Sequence, residues 1–322
     1  MPLSLHIRSD YMFEVKPHPE LSWSISRHKT LMECPRKYGY DYYVSHNGWL
    51  RDADSLARHT YRLKKLTNLE MLFGSIVHDT IYQVIQHFLK TRQIPSEQKL
   101  VDRIRQQLNQ GFIDSTRREH LWHDKPKHYT MLHEIYYSQQ DKLPPNKTAK
   151  IQSRLGTAMN NFLKSQTFQD IQTPENIRFV ASEDFRYMMI GDVKIYIVMD
   201  LVYRDINQDK WVIVDWKTGK ASAEDRNQLA LYALYLKQRY QIDSLDKIVI
   251  RNEYLLEGYH KEHALNATDL INVQNLFGMS IQEMSHYLAD VEKNEPLSID
   301  QFPKYQEDHK CARCNYQELC FG

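Results

Sequence analysis

Two aspartates stand where an acidic side chain is costly. Asp200 closes an apolar stretch, Ile195-Tyr-Ile-Val-Met-Asp200, and Asp215 lies inside another, Val212-Ile-Val-Asp-Trp-Lys217. A carboxylate among strand-forming hydrophobes has to be paired or bind a cation. Two of them on adjacent strands can share one hard cation. Mg²⁺ favours one or two carboxylates, with water and phosphate completing its octahedron. Lys217 follows Asp215 by two residues, and alternate residues of a strand share a face. Asp215 and Lys217 therefore look at the same place and Trp216 looks away, leaving the Trp216 backbone carbonyl as a further ligand. The chemistry that fits is phosphodiester hydrolysis, in which a metal acidifies its water and neutralises phosphate oxygens. Lys217 would orient the nucleophile or stabilise developing charge. The plainer alternative is a strand end with a surface ion pair, because a bare D-x-K is common.

Three more side chains are candidates around that pair. Gln228 and Tyr232 are four residues apart and share a helix face, next to the strand end that carries Lys217. They can touch a phosphate or position the metal water, or simply pack on a sheet. His78 follows Gly74 by one helical turn. A neutral imidazole can ligate a metal, and a glycine permits close approach of another backbone or a nucleic acid. With 15 histidines in the chain, a surface or core role is the usual one.

Cys34, Cys311, Cys314 and Cys320 are the four cysteines of the chain. The late three form C-x2-C-x5-C, and Cys34 can supply a fourth thiolate. Four cysteinates suit zinc or a [4Fe–4S] cluster. Such a site would staple residues 22–45 to residues 305–322 and close a very long loop, where a cross-link restricts the unfolded chain most.

These residues need elements to carry them. Residues 22–34 read as a helix with Ser22, Ser24 and Ser26 available as N-caps, and Pro35 permits a new start. Residues 71–89 repeat Leu72, Ile76, Ile81, Val84, Ile85 and Phe88 at helical spacing. Residues 92–172 read as a polar helical insertion, with Ile151, Leu155, Met159 and Phe162 as one apolar stripe. Residues 185–189 and 193–203 read as a hairpin turned at Gly191-Asp192. A short apolar strand at 211–216 follows, then a helix over 225–240 with Leu229, Tyr232, Leu236 and Arg239 along one side. A strand at 247–256 and a helix at 270–291 come after it. The order helix, three strands, helix, strand predicts a mixed α/β core within one domain spanning 1–322.

Bulk composition narrows the class. The 322 residues are 42% hydrophobic and 26% charged, with net charge +1 and a pI near 7.7. Such a chain buries a core and is not disordered. The balance gives no support to broad DNA coating, yet leaves room for a local basic groove. Residues 1–10 lack the apolar core of a signal peptide, and no run approaches a membrane span. The expected location is intracellular and cytoplasmic.

Taken together the motifs resemble a RecB/AddB-type nuclease of the PD-(D/E)XK superfamily, in the iron–sulfur branch that includes CRISPR-associated Cas-type exonucleases. Gly74-Ser-Ile-Val-His78 resembles the G-x-x-x-H helix motif, and Met199-Asp200-Leu201 the acidic second-strand motif. Val214-Asp215-Trp216-Lys217-Thr218-Gly219 resembles D-Y-K-T-G, and Gln228-Leu-Ala-Leu-Tyr232 resembles Q-x-x-x-Y. Cys34-Pro-Arg-Lys-Tyr38 and the order of one early and three late cysteines are also similar. Trp216 stands in place of the usual Tyr, and no Gly or Arg precedes Asp200. Glu183 matches a commonly acidic position and receives no role.

The resemblance implies a restriction-endonuclease-like core. It implies that His78, Asp200, Asp215 and the Trp216 carbonyl bind Mg²⁺ or Mn²⁺, with Lys217 catalytic and the cysteines on a [4Fe–4S] cluster. It further implies an exonuclease acting on single-stranded DNA or DNA ends in repair, recombination or defence. The different-class alternative is a catalytically silent DNA-end-binding subunit. No G-x-x-x-x-G-K-[ST] is present, so a helicase or other motor would be a separate chain. The basic stretch 51–65 and the tyrosines Tyr38, Tyr40, Tyr42 and Tyr43 can form a path for a single strand. Residue by residue, a solvated helix and core tyrosines are the more ordinary reading.

Overall fold

The computed structural model describes residues 15–182, 185–219, 225–305 and 307–321. It begins with a short strand β1 (Ser22–Trp23) and helix α1 (Ile25–Glu33). The expected single helix over 22–34 is thus shortened, and the cap is Ser24, whose hydroxyl accepts from Arg27 N at 3.1 Å. Trp23 explains the change. Its ring is fully buried and its indole N–H donates to Ser280 at 2.9 Å, which anchors an extended entry. Pro35 opens α2 (Pro35–Gly39), a π-helical turn carries Tyr40–Val44, and α3 (Ser55–Lys64) follows.

Then α4 (Leu69–Thr91), α5 (Glu97–Arg117), α6 (Glu119–Asp124), α7 (His133–Ser138), α8 (Pro145–Lys164) and α9 (Gln166–Ile171) make a helical layer. The expectation of helices over 92–172 is met, but its polar character is not uniform. Leu100, Ile104, Leu108 and Phe168 join Ile151, Leu155, Met159 and Phe162 in one core with α4.

Strands β2 (Ile177–Ser182), β3 (Phe185–Ile190), β4 (Val193–Val198), β5 (Leu201–Asp205) and β6 (Lys210–Lys217) precede α10 (Asp225–Tyr240). Strands β7 (Ile248–Tyr254) and β8 (Tyr259–His263), helix α11 (Ala267–Ser285), a small pair β9 (Leu288–Asp290) and β10 (Glu295–Pro296), and helices α12 (Asp308–Cys311) and α13 (Gln317–Phe321) complete the order. The expected helix over 270–291 ends at Ser285. Its start is fixed earlier, by the reciprocal capping box of Asn266 and Asp269.

The central sheet has the order β2-β5-β6-β7-β8, and β6 and β7 run parallel. A right-handed crossover through α10 is the usual way to join such a parallel pair. Alternation splits the faces of β6. Val212, Val214 and Trp216 enter the core with α4, α5 and α8, while Ile213 enters the core with α10 and α11. The result is a sheet with helices against both faces.

The hairpin expectation needs one correction. Residues 193–203 are not one strand. Strand β4 pairs with β3 and β1 in a separate three-stranded sheet, and β5 joins the central sheet. The break falls at Met199-Asp200, and it is what places Asp200 at the end of the central sheet. Among the described residues no helix is long and apolar enough to cross a membrane.

Candidate active site and cysteine cavity

The β5–β6 ladder ends at the Leu201–Val214 pair. Beyond it, Trp216 N–H donates to Asp200 Oδ2 at 2.7 Å. A side chain therefore takes over where the strand partner stops. This brings Asp200 next to Asp215 on the following strand. Lys217 Nζ lies 2.8 Å from Asp215 Oδ2, and His78 Nδ1 of α4 lies 3.4 Å from Asp200 Oδ1.

Backbone direction places the carbonyl. In a strand the N–H and C=O of one residue point to the same edge, and successive residues alternate. Lys217 O accepts from Leu255 N on the β7 edge, whereas Trp216 N–H faces Asp200 on the other edge. The Trp216 carbonyl is thus turned to the Asp200 edge. Its indole goes to the opposite face of the sheet, edge-on to Phe162 at 5.5 Å.

Helix α10 supplies Gln228 and Tyr232 from above. Gln228 Nε2 donates to Tyr232 Oη at 2.5 Å and reaches Asp215 Oδ1 at 3.4 Å. Burial, with the Asp215 charge nearby, pushes the Tyr232 phenol far above its ordinary value, so it stays protonated. Gly74 lies one turn before His78. A Cβ there would meet Thr218 Oγ1 at 3.1 Å, so the glycine lets α4 come down on the end of β6.

Asp215 is the electrostatic centre. Burial first, and the Asp200 charge second, raise its carboxyl to about 6, against the opposing pull of Lys217 and His78. Its Oδ2 is buried, with Lys217 Nζ 2.8 Å away. Two close, shielded carboxylates suit a hard divalent cation. The same groups line an open cleft of 650 Å³, together with Ser24, Arg27, Lys29 and Tyr42. Tyr42 belongs to the tyrosine path read from the sequence, whereas no motif marks Ser24, Arg27 or Lys29. They join the site only because β1 pairs with β4 and delivers α1 to the cleft. Asn252 is a further residue that sequence reading passes over. It pairs with Asp215 in register on β7 and is fully buried. Glu183 lies outside the described residues.

The four cysteines meet at one place. Cys34, Cys311, Cys314 and Cys320 all line a single cavity of 210 Å³ between α1–α2 and the C-terminal segment. Among the described residues, no three His, Cys, Asp or Glu side chains already converge as a compact metal shell. Lys37, Lys304, Lys310, Arg313 and Glu33 line the same cavity, with Lys37 paired to Glu33 at 2.7 Å and Lys310 to Glu307 at 2.9 Å. Tyr316 N–H donates to Cys314 Sγ at 3.4 Å, and burial raises the Cys314 thiol to about 11. Four cysteines at one cavity are the donor type that a zinc ion or an iron–sulfur cluster takes. The tail is clamped by Arg36 Nε on Phe302 O at 2.7 Å and by Tyr40 Oη on Leu319 O at 3.1 Å.

Most of the tyrosine path is corrected. Tyr38, Tyr40 and Tyr43 are buried core residues, and only Tyr42 reaches the cleft. Arg27 explains this packing, since its guanidinium lies 4.3 Å from the Tyr42 ring centre and donates to Ser22 Oγ at 2.8 Å.

Residues 22–321 match the PD-(D/E)XK nuclease superfamily. The chain belongs to that superfamily, whose members are typically Mg²⁺- or Mn²⁺-dependent nucleases. No curated protein gives a significant match over the chain.

Proposed function

We propose that this chain is a metal-dependent deoxyribonuclease acting on single-stranded DNA or DNA ends as an exonuclease. The observation that carries the reading is Asp215. It is a buried carboxylate with a raised affinity for protons, held between Asp200 and Lys217 at the floor of an open cleft. Such a group costs stability unless a ligand repays it.

Asp200, Asp215, His78 and the Trp216 carbonyl would hold Mg²⁺ or Mn²⁺. When bound, the cation supplies Lewis-acid polarisation of the phosphate and a more acidic water. Lys217 points along the same face as Asp215 and is placed to stabilise charge on the phosphate oxygens. Gln228 and Tyr232 hold Asp215 from the α10 side and present donors to the same space. The fixed orientation of these groups is itself a large part of the catalysis.

The four cysteines would carry a [4Fe–4S] cluster that staples residues 22–45 to 305–322, with residues 92–172 a helical elaboration of one nuclease domain. Zinc takes the same four cysteinates, and iron content with visible absorbance distinguishes the two. DNA is the partner, and any motor would be a separate chain.

The test is cleavage of end-labelled linear and circular DNA, single- and double-stranded, with Mg²⁺ or Mn²⁺, beside Asp215→Ala. Cleavage of linear single strands only, lost in the variant, supports the reading. Cleavage of circles removes the exonuclease assignment. No cleavage by brown, cluster-loaded protein removes the catalytic one and favours a DNA-end-binding subunit.

A further inference from the structure

A second cavity, of 900 Å³, opens between the loop before α3, α3 itself and the segment after α6. Seven lysine and arginine side chains line it against a single carboxylate, Asp124. Asp124 and Asp41 offset only part of that charge. Arg58 stands close enough to Arg62, and Lys127 to Lys65, that like-charge repulsion adds to burial in lowering the basicity of Arg62 and Lys65. A chain with net charge of only +1 has concentrated cations at one place, which is the arrangement that attracts a polyanion.

The same cavity carries an aromatic platform. Trp49 is 45% exposed at its rim. Tyr61 meets the indole edge-on at 5.7 Å, and His46 braces it at 5.7 Å. Both neighbours lie at steep angles to the indole, and its exposed part is what a base would stack on. Lys65 Nζ lies 5.2 Å from the Tyr61 ring, so charge and ring sit side by side. Phosphates on cations and bases on aromatic faces are how single strands are held without sequence preference.

The cavity also adjoins the cleft. Lys64 lines it and places Nζ 5.1 Å from the ring of Tyr42, and Tyr42 lines the cleft of Asp200 and Asp215. The two spaces thus share the Tyr42–Lys64 wall. We infer that this basic cavity is an anchoring site for single-stranded DNA, with Trp49 as the stacking platform. The strand would run past Tyr42 toward Lys29 and Lys217. The direction of that strand rests on the nuclease reading, while binding in the cavity stands on its own.

Fluorescence anisotropy of a labelled oligodeoxythymidylate, measured in the full-length Asp215→Ala background, tests it. Arg58, Lys127 and Trp49 are exposed, so Arg58→Glu/Lys127→Glu and Trp49→Ala should keep the melting temperature of the parent. The charge reversals should weaken binding at least roughly tenfold and flatten the log–log salt slope by about 0.7 for each phosphate contact removed. Trp49→Ala should weaken it roughly tenfold with the slope unchanged. Parent-like affinity in both variants overturns the anchoring site. A blunt duplex that competes as well as the single strand, at equal phosphate, overturns the single-strand assignment. Residual cleavage of the probe in the Asp215→Ala background bears on the catalytic assignment alone, and leaves the binding result readable.

Discussion

Trp216 N–H and Asp200 Oδ2, 2.7 Å apart, tie together the two strands that bear the acidic residues. Asp200 occupies one carboxylate oxygen in this bond and turns the other toward His78. The hydrogen bond also ends the β5–β6 ladder, so architecture and site geometry depend on the same contact. Asp200→Ala should lose activity and also loosen the end of β6. Amide hydrogen exchange of Trp216 reads this. Parent-like protection of that amide in the variant would separate the two roles.

Asp215→Asn removes a charge that the metal-free fold disfavours. Cleavage should fall at least roughly a hundredfold, the scale expected when a group acting on the transition state is lost. The metal-free variant should melt higher than wild type at neutral pH. A carboxyl raised from 3.8 to about 6 corresponds to roughly 2–3 kcal/mol of strain at pH 7. A lower melting temperature, without metal, would mean that Lys217 more than repays the burial.

The pH dependence follows from the same group. The raised carboxyl makes the metal-free fold favour protonated Asp215. That stabilisation is complete below the unfolded value of about 4 and is lost as pH rises through about 6. Metal requires the carboxylate, so the opposite holds for binding. Mn²⁺ affinity should be level above about pH 6 and fall by up to about tenfold per unit below it. Calorimetric titration at several pH values measures this, and Asp215→Asn should show no Mn²⁺ binding at any of them.

Gly74→Ala and Gly74→Val differ by how far they reach toward Thr218. A Cβ at 3.1 Å from Oγ1 asks for a small shift. The alanine variant should be close to normal. The valine variant should displace α4 and His78 with it, lowering cleavage by on the order of a hundredfold, as a misplacement of about 1 Å can. Equal activity of the two, with unchanged melting, would show that α4 does not need this close seat.

Cys314→Ser should lower iron content and visible absorbance and release the C-terminal segment. Limited proteolysis near residues 307–321 reports the release. Full iron loading in this variant would remove Cys314 from the ligand set.

Much of the site was legible because its signals are local. An aspartate inside Val212–Lys217 contradicts its neighbours, and period-two alternation then fixes which side Lys217 faces. Helix α10 has the bounds 225–240 expected from sequence, and α4 carries the expected apolar repeat. What was not legible depends on partners far along the chain. Residues 193–203 look like one strand in composition, and only the demand of Trp216 N–H for a partner shows why they break at Asp200. Strand β8, Tyr259–His263, is polar and largely exposed, so it has no hydrophobic alternation to detect. Arg27 and Lys29 reach the cleft through the parallel β1–β4 pairing, which a two-residue strand does not announce. Tyr38, Tyr40 and Tyr43 have the types of a stacking surface and the burial of a core. Trp49, which has the exposure, stands in a loop without periodicity.

The most direct measurement of the central claim is Mn²⁺ binding followed by electron paramagnetic resonance, with wild type, Asp215→Asn and Lys217→Met compared. Wild type should bind Mn²⁺ at a saturable protein site. Asp215→Asn should lose that signal, and Lys217→Met should keep it while losing cleavage, since the lysine competes with the metal for Asp215 and does not ligate it. Undiminished Mn²⁺ binding in Asp215→Asn would contradict a metal site built on Asp200 and Asp215.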